Sequence, residues 1–238
     1  MKLKDKRAIV TGSTKGIGRA IAESLIKEGA KVVVSARTAE EVEATVKQLN
    51  SLSPGSAAGR VCDVRDAEQV KALIEFALAE FEGLEILINN AGLGIFKNVE
   101  ELSVGEWRTT LQTNLDSLFY GCHYALPHLK KHDNSFIINI GSLAGKNAFP
   151  GGAAYNASKF GLIGFSEALM QEVRHDGVRV AYVMPGSVET WFRGSAPASH
   201  SWKLSAQDVA DVTLDTLKRD PRCLTSRIEM RPSRPPKK

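Results

Sequence analysis

Apolar residues along the chain fall into two kinds of segment, short unbroken runs and longer segments with helical spacing. Continuous runs rich in Val and Ile are typical of strands that are buried on both faces of a parallel sheet. Seven runs are predicted to form strands: RAIVT, KVVVSA, GRVCDV, EILINNA, SFIINIGS, VRVAYVMPG and SRIEMRP. Because helical segments separate most of these runs, the pattern predicts a doubly wound α/β sheet of about seven parallel strands with helices on both faces.

Apolar residues at intervals of three and four predict six helices between the strands. Their predicted bounds are 16–28, 39–51, 66–81, 104–131, 152–174 and 206–218. We expect a single domain over residues 1–231. The domain includes a loop at 187–205, which is rich in Ser, Gly, Ala and Pro and shows no regular spacing of apolar residues. We expect this loop to cover a substrate pocket. Residues 232–238, PSRPPKK, are expected to form a disordered tail.

Charge and cysteine content narrow the class of protein. The net charge is +4, but the excess is concentrated in the two ends, MKLKDKR and RPSRPPKK. We therefore expect neither nucleic acid nor a membrane surface as a partner. The cysteines, Cys62, Cys122 and Cys223, are odd in number and lack metal or redox spacing. With no signal-peptide pattern and no apolar run of about 18 residues, a cytoplasmic protein is expected.

The first strand leads into a glycine-rich loop and then a helix, in the stretch AIVTGSTKGIGRAIAESL. The loop contains Gly12, Gly16 and Gly18, and glycine allows a tight turn and a close approach of the backbone to a ligand. The helix N-terminus that follows favours a phosphate group. In the first strand, loop and helix of a doubly wound sheet, this pattern predicts a dinucleotide-binding Rossmann domain.

The end of the second strand indicates which dinucleotide binds. An acidic residue there usually contacts the ribose 2′-hydroxyl of NAD, whereas an arginine accommodates the 2′-phosphate of NADP. This strand ends VVVSART, with Arg37 in that place and no carboxylate before Glu40. Lys15 in the glycine loop could add a second cation. We therefore predict that the cofactor is NADP(H).

A tyrosine and a lysine stand four residues apart in AAYNASKFGLIGFSEALM. At this spacing, Tyr155 and Lys159 share one face of the predicted helix. An adjacent positive charge lowers the pKa of a phenol from its usual value of about 10, which would suit a proton donor near neutral pH. Taken alone, such a pair is more often a helix surface where the ring packs and the amine meets water.

Six motifs along nearly the whole chain resemble, in content and order, those of the short-chain dehydrogenase/reductase superfamily. They are TGSTKGIG (11–18), NNAG (89–92), Asn114, Ser142, YNASK (155–159) and PGSVET (185–190). The resemblance implies hydride transfer that interconverts a carbonyl compound and an alcohol. The segment RIEMRPS looks more like carbonyl and sepiapterin reductases, because the glycine-rich ending common in 3-oxoacyl-[acyl-carrier-protein] reductases is missing.

The resemblance implies a catalytic set of four residues. Tyr155 would act as the general acid in reduction and the base in oxidation, while Lys159 would lower its pKa and bind the nicotinamide ribose. Ser142 would donate a hydrogen bond to the substrate carbonyl oxygen as negative charge develops there; the alternative is a strand-end serine that caps a turn. Asn114 would hold a water that connects Lys159 to solvent.

The resemblance also implies a set of cofactor contacts near the ends of the strands. Asp63 would contact the adenine, Val64 would pack on its ring, and Val188 and Thr190 would bind the carboxamide. The complete set is Gly12, Ser13, Lys15, Gly16, Ile17, Gly18, Arg37, Asp63, Val64, Asn90, Gly92, Tyr155, Lys159, Pro185, Gly186, Val188 and Thr190.

Three alternatives fit the sequence less well. His128 and His132 lie four residues apart, but no third ligand accompanies them, so no metal site is expected. Ser142 lacks the nucleophile elbow of a Ser-His-Asp hydrolase. A non-enzymatic NADP(H)-binding, redox-sensing module would be expected to lack Tyr155 or Lys159, and both are present.

Assembly and substrate are predicted more coarsely. The helices predicted at 104–131 and 152–174 carry apolar residues beyond one face, which indicates burial against another subunit. The resemblance implies a homotetramer, with a homodimer as the alternative. The segments LGIF, AGKNAF and WFRG favour a small-molecule pocket with an aromatic lining, suited to a ketone or aldehyde of modest size.

Overall fold

The computed structural model describes residues 2–190, 192 and 202–236. Its strands are β1 (Arg7–Thr11), β2 (Lys31–Ala36), β3 (Ala57–Val61), β4 (Ile86–Asn89), β5 (Ser135–Ile140), β6 (Val178–Pro185) and β7 (Arg227–Met230). Its helices are α1 (Gly16–Lys27), α2 (Ala39–Asn50), α3 (Ala67–Phe81), α4 (Val104–Leu111), α5 (Ser117–Leu129), α6 (Ala153–Val173) and α7 (Ala206–Lys218).

The strands of the described residues form one parallel sheet in the order β3-β2-β1-β4-β5-β6-β7. The chain runs outward from β1 to β3, returns to place β4 on the other side of β1, and then runs outward again. The predicted doubly wound fold is confirmed. Such a reversal of strand order opens a crevice at the carboxyl ends of the central strands, where this class of sheet binds ligands.

Alternate residues of each strand face two apolar cores, one on each side of the sheet. In β1, Val10 joins the core beneath α1, α2 and α7, and Ile9 joins the core beneath α3, α5 and α6. Both residues are fully buried. Because both faces are covered by helices, the strands read as continuous apolar runs rather than alternating ones.

The helix predicted over 104–131 is divided in the structure. A π-helical turn, Gln112–Asp116, separates α4 from α5. The third strand also differs, since it begins and ends earlier than GRVCDV and leaves Cys62 and Asp63 beyond its carboxyl end. Both differences bring polar residues to the edge where the predicted site lies.

The ends of the domain show two further features. Residues 231–236 follow β7 without regular secondary structure, and Cδ of Pro232 lies 3.4 Å from the position that a Cβ on Gly186 would occupy. Of the predicted substrate loop, 191 and 193–201 lie outside the described residues, as do 237 and 238 of the predicted tail. No helix in the described part of the chain is both long and apolar enough to cross a membrane.

Candidate active site

The predicted site residues follow the carboxyl ends of the strands. Gly12 comes directly after β1, Arg37 after β2, Asn90 after β4 and Gly186 after β6. Since all strands are parallel, these ends meet at one edge of the sheet, which we call the carboxyl edge. The sheet therefore brings residues from four distant parts of the sequence to one crevice.

The glycine loop between β1 and α1 needs glycine for both conformation and space. Gly12 and Gly16 have φ angles of +62° and +57°, in the left-handed region that other residues rarely adopt. A Cβ on Gly12 would lie 2.9 Å from Cα of Ala91, and one on Gly18 would lie 2.5 Å from the carbonyl oxygen of Gly12. The loop thus forms a bare backbone cradle in front of the α1 N-terminus, which fits a pyrophosphate group.

Side chains beside this cradle hold the loops after β1 and β4 together. The Thr11 hydroxyl accepts hydrogen bonds from the N–H groups of Asn90 and Ala91, each at 3.0 Å. The Asn90 amide donates to the carbonyl oxygens of Thr11 (2.9 Å) and Gly12 (3.0 Å). Thr11 is a site residue that the sequence reasoning did not single out, although it stands within the glycine motif.

Ser13 is fully buried inside the loop. Its hydroxyl donates to the carbonyl oxygen of Val10 (2.6 Å) and accepts from the N–H of Ser35 (3.0 Å), and its own N–H donates to the Ser35 carbonyl (3.1 Å). The structure therefore engages both polar hydrogens of Ser13 in fastening the loop to β1 and β2. Ile17, also in the predicted set, is half-buried and packs against the apolar core.

The predicted cations near β2 have different surroundings. Arg37 is exposed, and among the described residues its side chain makes no hydrogen bond or ion pair. Lys15 donates to Glu41 (Nζ–Oε1 2.6 Å), and the Thr14 hydroxyl donates to the other Glu41 oxygen at 3.1 Å. The hydrogen bond from Lys15 lowers the pKa of Glu41, which keeps this carboxylate ionised. Glu41 was not predicted as a site residue.

Asp63 and Val64 lie beyond β3, next to Arg65. The Asp63 carboxylate accepts from the Arg65 backbone N–H (3.0 Å) and from the guanidinium Nε (2.9 Å). These hydrogen bonds lower the pKa of Asp63. Val64 is buried. The structure thus holds an ionised carboxylate and an apolar side chain together at the edge of the crevice.

Lys159 is the buried charge of the site. Only 5% of the residue is exposed, and its Nζ donates to the carbonyl oxygen of Ile140 at 3.0 Å. Among the described residues it has no ion-pair partner, and burial lowers its pKa to about 8. Nζ lies 5.9 Å from the centroid of the Tyr155 ring, so the predicted pair is brought together.

Asn114 occupies the π-helical turn, which points its amide at the loop after β4. Its Oδ1 accepts from the Leu93 N–H and its Nδ2 donates to the Leu93 carbonyl, both at 2.8 Å. A second Nδ2 bond reaches the Ser158 hydroxyl at 3.0 Å. A Cβ on Gly92 would lie 3.3 Å from Asn114 Oδ1 and 3.8 Å from Lys159 Nζ. Gly92 therefore leaves a gap between these two polar groups.

Ser142 begins a short 3₁₀ turn, Leu143–Gly145, directly after β5. Its hydroxyl oxygen accepts a hydrogen bond from the N–H of Ala144 at 3.1 Å, so it caps this turn. The hydroxyl donates to none of the described residues. Capping uses a lone pair and leaves the hydroxyl hydrogen for another acceptor. The capping role and the predicted catalytic role are therefore compatible.

Aromatic rings surround Tyr155, which is 9% exposed. Its ring centroid lies 5.4 Å from that of Phe96, in an edge-on contact, and 5.7 Å from that of Phe192. Phe149 is 5.8 Å from Phe96 on the far side. About two fifths of Phe149 and Phe192 remains exposed. These three phenylalanines come from the segments predicted to form an aromatic lining.

The end of β6 faces the glycine loop. A Cβ on Gly16 would lie 3.4 Å from Cγ2 of Thr190. A single parallel bridge joins Val188 to Leu204, through Glu189 N–H to the Leu204 carbonyl (2.7 Å) and Leu204 N–H to the Ser187 carbonyl (3.0 Å). Neither hydrogen bond of this bridge uses the backbone N–H or carbonyl of Val188 itself. Two predicted cofactor contacts, Gly16 in the glycine loop and Thr190 after β6, thus lie next to each other across the crevice.

The described residues contain no group of three His, Cys, Asp or Glu side chains placed to hold a metal ion.

Comparison with known proteins assigns the family. The model of the short chain dehydrogenase family matches residues 6–200. An uncharacterized oxidoreductase of Staphylococcus aureus strain MW2 is 34% identical over 97% of this chain and 98% of its own length. The chain therefore belongs to the short-chain dehydrogenase family of oxidoreductases.

Solved structures agree with this assignment. An alcohol dehydrogenase from the archaeon Thermococcus sibiricus, complexed with 5-hydroxy-NADP, superposes with a TM-score of 0.91 at 26% identity, covering 99% of this chain and 100% of its own. A short-chain dehydrogenase/reductase from Burkholderia phymatum, in complex with NAD, gives 0.87 at 26% identity, covering 97% and 89%. A nicotinamide cofactor is thus a property of the family, and both forms occur among structural neighbours.

Proposed function

We propose that this protein is an NADP(H)-dependent oxidoreductase that interconverts a ketone or aldehyde and an alcohol by hydride transfer. The observation that carries the proposal is the pair of Tyr155 and Lys159 on one face of α6, with the lysine buried and, among the described residues, hydrogen-bonded only to a backbone carbonyl. A structural helix pair would have no need of a buried ammonium group, whose desolvation is costly.

Residues around the crevice would contact each part of the cofactor. The glycine cradle and the α1 N-terminus would hold the pyrophosphate, Asp63, Val64 and Asn90 the adenosine, and Val188 and Thr190 the carboxamide. Lys159 would bind the nicotinamide ribose. When bound, the nicotinamide supplies or accepts the hydride at the substrate carbon.

Residues of the protein would transfer the proton to or from the substrate oxygen and stabilise the negative charge that develops there. In reduction, the Tyr155 hydroxyl gives its proton to the carbonyl oxygen, and in oxidation the phenolate takes it back. The Lys159 charge favours the phenolate. Ser142 donates its hydroxyl hydrogen to the same substrate oxygen. Asn114 would hold a water beside Gly92 that returns protons from solvent to Lys159.

The preference for NADP(H) rests on Arg37, which stands at the end of β2 in place of a carboxylate and makes no hydrogen bond or ion pair with the described residues. Complexes of structural neighbours with 5-hydroxy-NADP and with NAD are both known, so the residues near the ribose carry this part of the proposal. The substrate would be an apolar carbonyl compound of modest size, of the kind taken by carbonyl reductases, because Phe96, Phe149 and Phe192 line the approach to Tyr155.

We also propose a homo-oligomer, a tetramer or a dimer, located in the cytoplasm. Phe119 on α5 is 52% exposed, and a groove between α5 and α6 is lined by Leu115, Phe119, Tyr120 and Phe165. A second subunit would cover this apolar surface, and light scattering on the purified protein tests it. Cys62, Cys122 and Cys223 are all unpaired thiols, which is typical of a reducing compartment.

The decisive experiment compares Tyr155→Phe with Tyr124→Phe, a matched loss of one hydroxyl on α5. Oxidation of NADPH is followed at 340 nm against a panel of apolar ketones and aldehydes. We expect Tyr155→Phe to lose about a hundredfold or more of the wild-type rate, since only the transferred proton is removed. Cofactor affinity and thermal midpoint should stay near the wild-type values, and Tyr124→Phe should keep normal activity.

Two results would contradict the proposal. Retention of more than about a tenth of the rate in Tyr155→Phe, a change of only about 1.4 kcal/mol in the barrier, would remove the tyrosine from the chemistry. Cofactor binding by the wild type without turnover of any carbonyl compound would favour the non-enzymatic redox-sensing module instead.

A further inference from the structure

The pocket expected to bind a 2′-phosphate already contains a carboxylate. Glu41 accepts from Lys15 Nζ at 2.6 Å and from the Thr14 hydroxyl at 3.1 Å. Both donors belong to the glycine loop, and Arg37 adds a further positive charge that acts on the same carboxylate. Glu41 therefore makes, with its two oxygens, the contacts that a phosphate group would make with this loop.

We propose that Glu41 is a specificity-determining residue that competes with the 2′-phosphate of NADP(H) for Lys15 and Thr14, so that one site accepts both NADP(H) and NAD(H). This inference rests on the proposed function, because it concerns the cofactor that the crevice takes. Without a 2′-phosphate, Glu41 stays on Lys15 and neutralises it. When a 2′-phosphate is bound, Lys15 and Thr14 donate their hydrogen bonds to the phosphate, and Glu41 is released.

The exchange follows from charge. A phosphate monoester carries about −1.5 to −2 at neutral pH. Lys15 and Arg37 cannot offset both this group and Glu41, because two anions at hydrogen-bond distance from one ammonium group repel each other. The carboxylate is the one that can leave, since it lies on a surface helix while the phosphate is fixed to the bound nucleotide. Glu41 should therefore weaken the binding of NADP(H) and leave that of NAD(H) almost unchanged.

The ion pair is exposed enough to open. The Lys15 and Glu41 side chains are 53% and 35% exposed. Ion pairs at such positions contribute little to stability, because solvent and salt screen them. Glu41 also lies in the first turn of α2, where the helix dipole favours its charge whether or not Lys15 is bound. Release of the carboxylate therefore leaves the fold intact.

The preceding residue provides a matched control. Glu40 lies in the same first turn of α2, is exposed, and makes no hydrogen bond or ion pair with any described residue. Glu40→Gln and Glu41→Gln remove the same charge from the same helix end. A difference between the two variants then reports the contact with Lys15 and Thr14, and not the general loss of negative charge near the crevice.

The test uses the full-length protein and two nucleotide probes, 2′,5′-ADP, which carries the 2′-phosphate, and 5′-ADP, which lacks it. Dissociation constants are measured by calorimetry for the wild type, Glu41→Gln and Glu40→Gln. We expect Glu41→Gln to bind 2′,5′-ADP about fivefold more tightly than the wild type and 5′-ADP equally well. Glu40→Gln should change both constants by less than about twofold.

A double variant locates the effect. In a Lys15→Met background the carboxylate has no ammonium group to occupy, so Glu41→Gln should improve 2′,5′-ADP binding by much less than it does in the wild type. Unchanged or weaker binding of 2′,5′-ADP by Glu41→Gln alone, or an equal gain in Glu40→Gln, would overturn the inference. Turnover of carbonyl compounds is measured separately, so a failure of the proposed function is seen in the rates and not in these constants.

Discussion

The two edges of the sheet treat buried charge in opposite ways. At the opposite edge, formed by the amino ends of the strands, Glu85 directly precedes β4, and only 5% of its side chain is exposed. Its carboxylate accepts from Arg7 Nε (2.8 Å), Arg7 Nη2 (2.9 Å), the Arg7 backbone N–H (3.1 Å) and Lys6 Nζ (3.3 Å). At the carboxyl edge, Lys159 is equally buried, but within the described part of the chain it has a single hydrogen bond, to the Ile140 carbonyl. Opposite charges on Arg7 and Lys6 thus compensate the Glu85 carboxylate, whereas none of the described residues places a negative charge on the Lys159 ammonium group.

The pKa values express this difference. Burial alone would raise the pKa of Glu85, but the hydrogen bonds from Arg7 and the charges of Arg7 and Lys6 together outweigh burial, so the pKa is lowered. Among the residues that the structure describes, no carboxylate compensates Lys159, and burial lowers its pKa to about 8. The charge of Glu85 is therefore compensated within the fold, whereas the charge of Lys159 carries a cost of burial that its proposed roles towards Tyr155 and the cofactor would explain. Residues that serve function at the expense of stability are common in active sites.

The largest expected effect is that of Lys159→Met. Turnover should fall by about a thousandfold, or 4 kcal/mol in the barrier, because Tyr155 loses the charge that favours its phenolate. Cofactor affinity should fall too, since a contact with the ribose is lost. Thermal stability at pH 7 should nevertheless rise, by about 2 kcal/mol, because a buried charge is replaced by a side chain of similar length that needs no hydration.

The pH dependence of that gain gives a second measurement. The unfolded lysine has a pKa near 10.5 and the folded one near 8. Below pH 8 Lys159 is protonated in both the folded and the unfolded state, so the full cost of burying its charge is present. Between pH 8 and 10.5 it loses its proton in the folded state but keeps it in the unfolded state. The free energy of unfolding of the wild type therefore rises over this range. The advantage of Lys159→Met should shrink over this window. Lys146→Met, at an exposed lysine, should show neither effect, and a destabilised Lys159→Met would contradict the comparison.

Glu85→Gln should have the next largest effect, on stability alone. Arg7 and Lys6 would lose the carboxylate they share, and breaking such a buried pair costs about 3 kcal/mol. The thermal midpoint should fall by roughly 10 °C in a chain of this size. Specific activity of the folded protein should not change, because the cluster lies at the opposite edge from the crevice.

A control and a pH titration sharpen this prediction. Glu28→Gln removes an exposed partner of Lys218 and should change stability by less than about 1 kcal/mol. Because the folded pKa of Glu85 is lowered, its contribution is present above pH 4.5 and is lost as pH falls through the folded pKa. The free energies of unfolding of the wild type and Glu85→Gln should therefore converge as the pH falls below the folded pKa of Glu85. A drop in specific activity in Glu85→Gln at neutral pH would show that the two edges are coupled.

The smallest expected effect is that of Arg37→Asp. The Michaelis constant for NADPH should rise about tenfold, or 1.4 kcal/mol, while use of NADH improves, because a carboxylate at the end of β2 suits a 2′-hydroxyl. The thermal midpoint should stay nearly constant, since the exposed Arg37 side chain makes no hydrogen bond or ion pair with the described residues. Arg108→Asp on α4 is the remote control. A wild type that prefers NADH tenfold would refute the role given to Arg37.

The fold was predictable because its signals are local and repeated. The apolar runs and the glycine loop indicate a doubly wound sheet without knowledge of any contact. The crevice was also predictable, since parallel strands bring their carboxyl ends together. The pairing of Tyr155 with Lys159 follows from helical spacing alone; in the structure Lys159 Nζ lies 5.9 Å from the Tyr155 ring centroid and donates to the carbonyl of Ile140, the last residue of β5.

Other features depend on contacts between distant residues, which the sequence does not display. The ion pair of Glu41 with Lys15 joins the first turn of α2 to the glycine loop, 26 positions away, and the buried hydroxyl of Ser13 depends on β2 lying beside β1. The only local sign of the π-helical turn was Asn114, an unfavourable residue inside a helix. The partners of the Asn114 amide, Leu93 and Ser158, belong to other segments of the chain.

That turn amounts to one residue inserted into a continuous helix. An α-helix advances about 100° per residue, so an added residue shifts the phase of every later side chain relative to the earlier ones. The stretch from Val104 to Leu111 and the stretch from Ser117 to Leu129 consequently present faces that a single straight helix could not present together. Within the described chain, the amide of Asn114 can reach the crevice while Phe119 stays on the outer surface, and the two halves of the helix are free to evolve towards different neighbours.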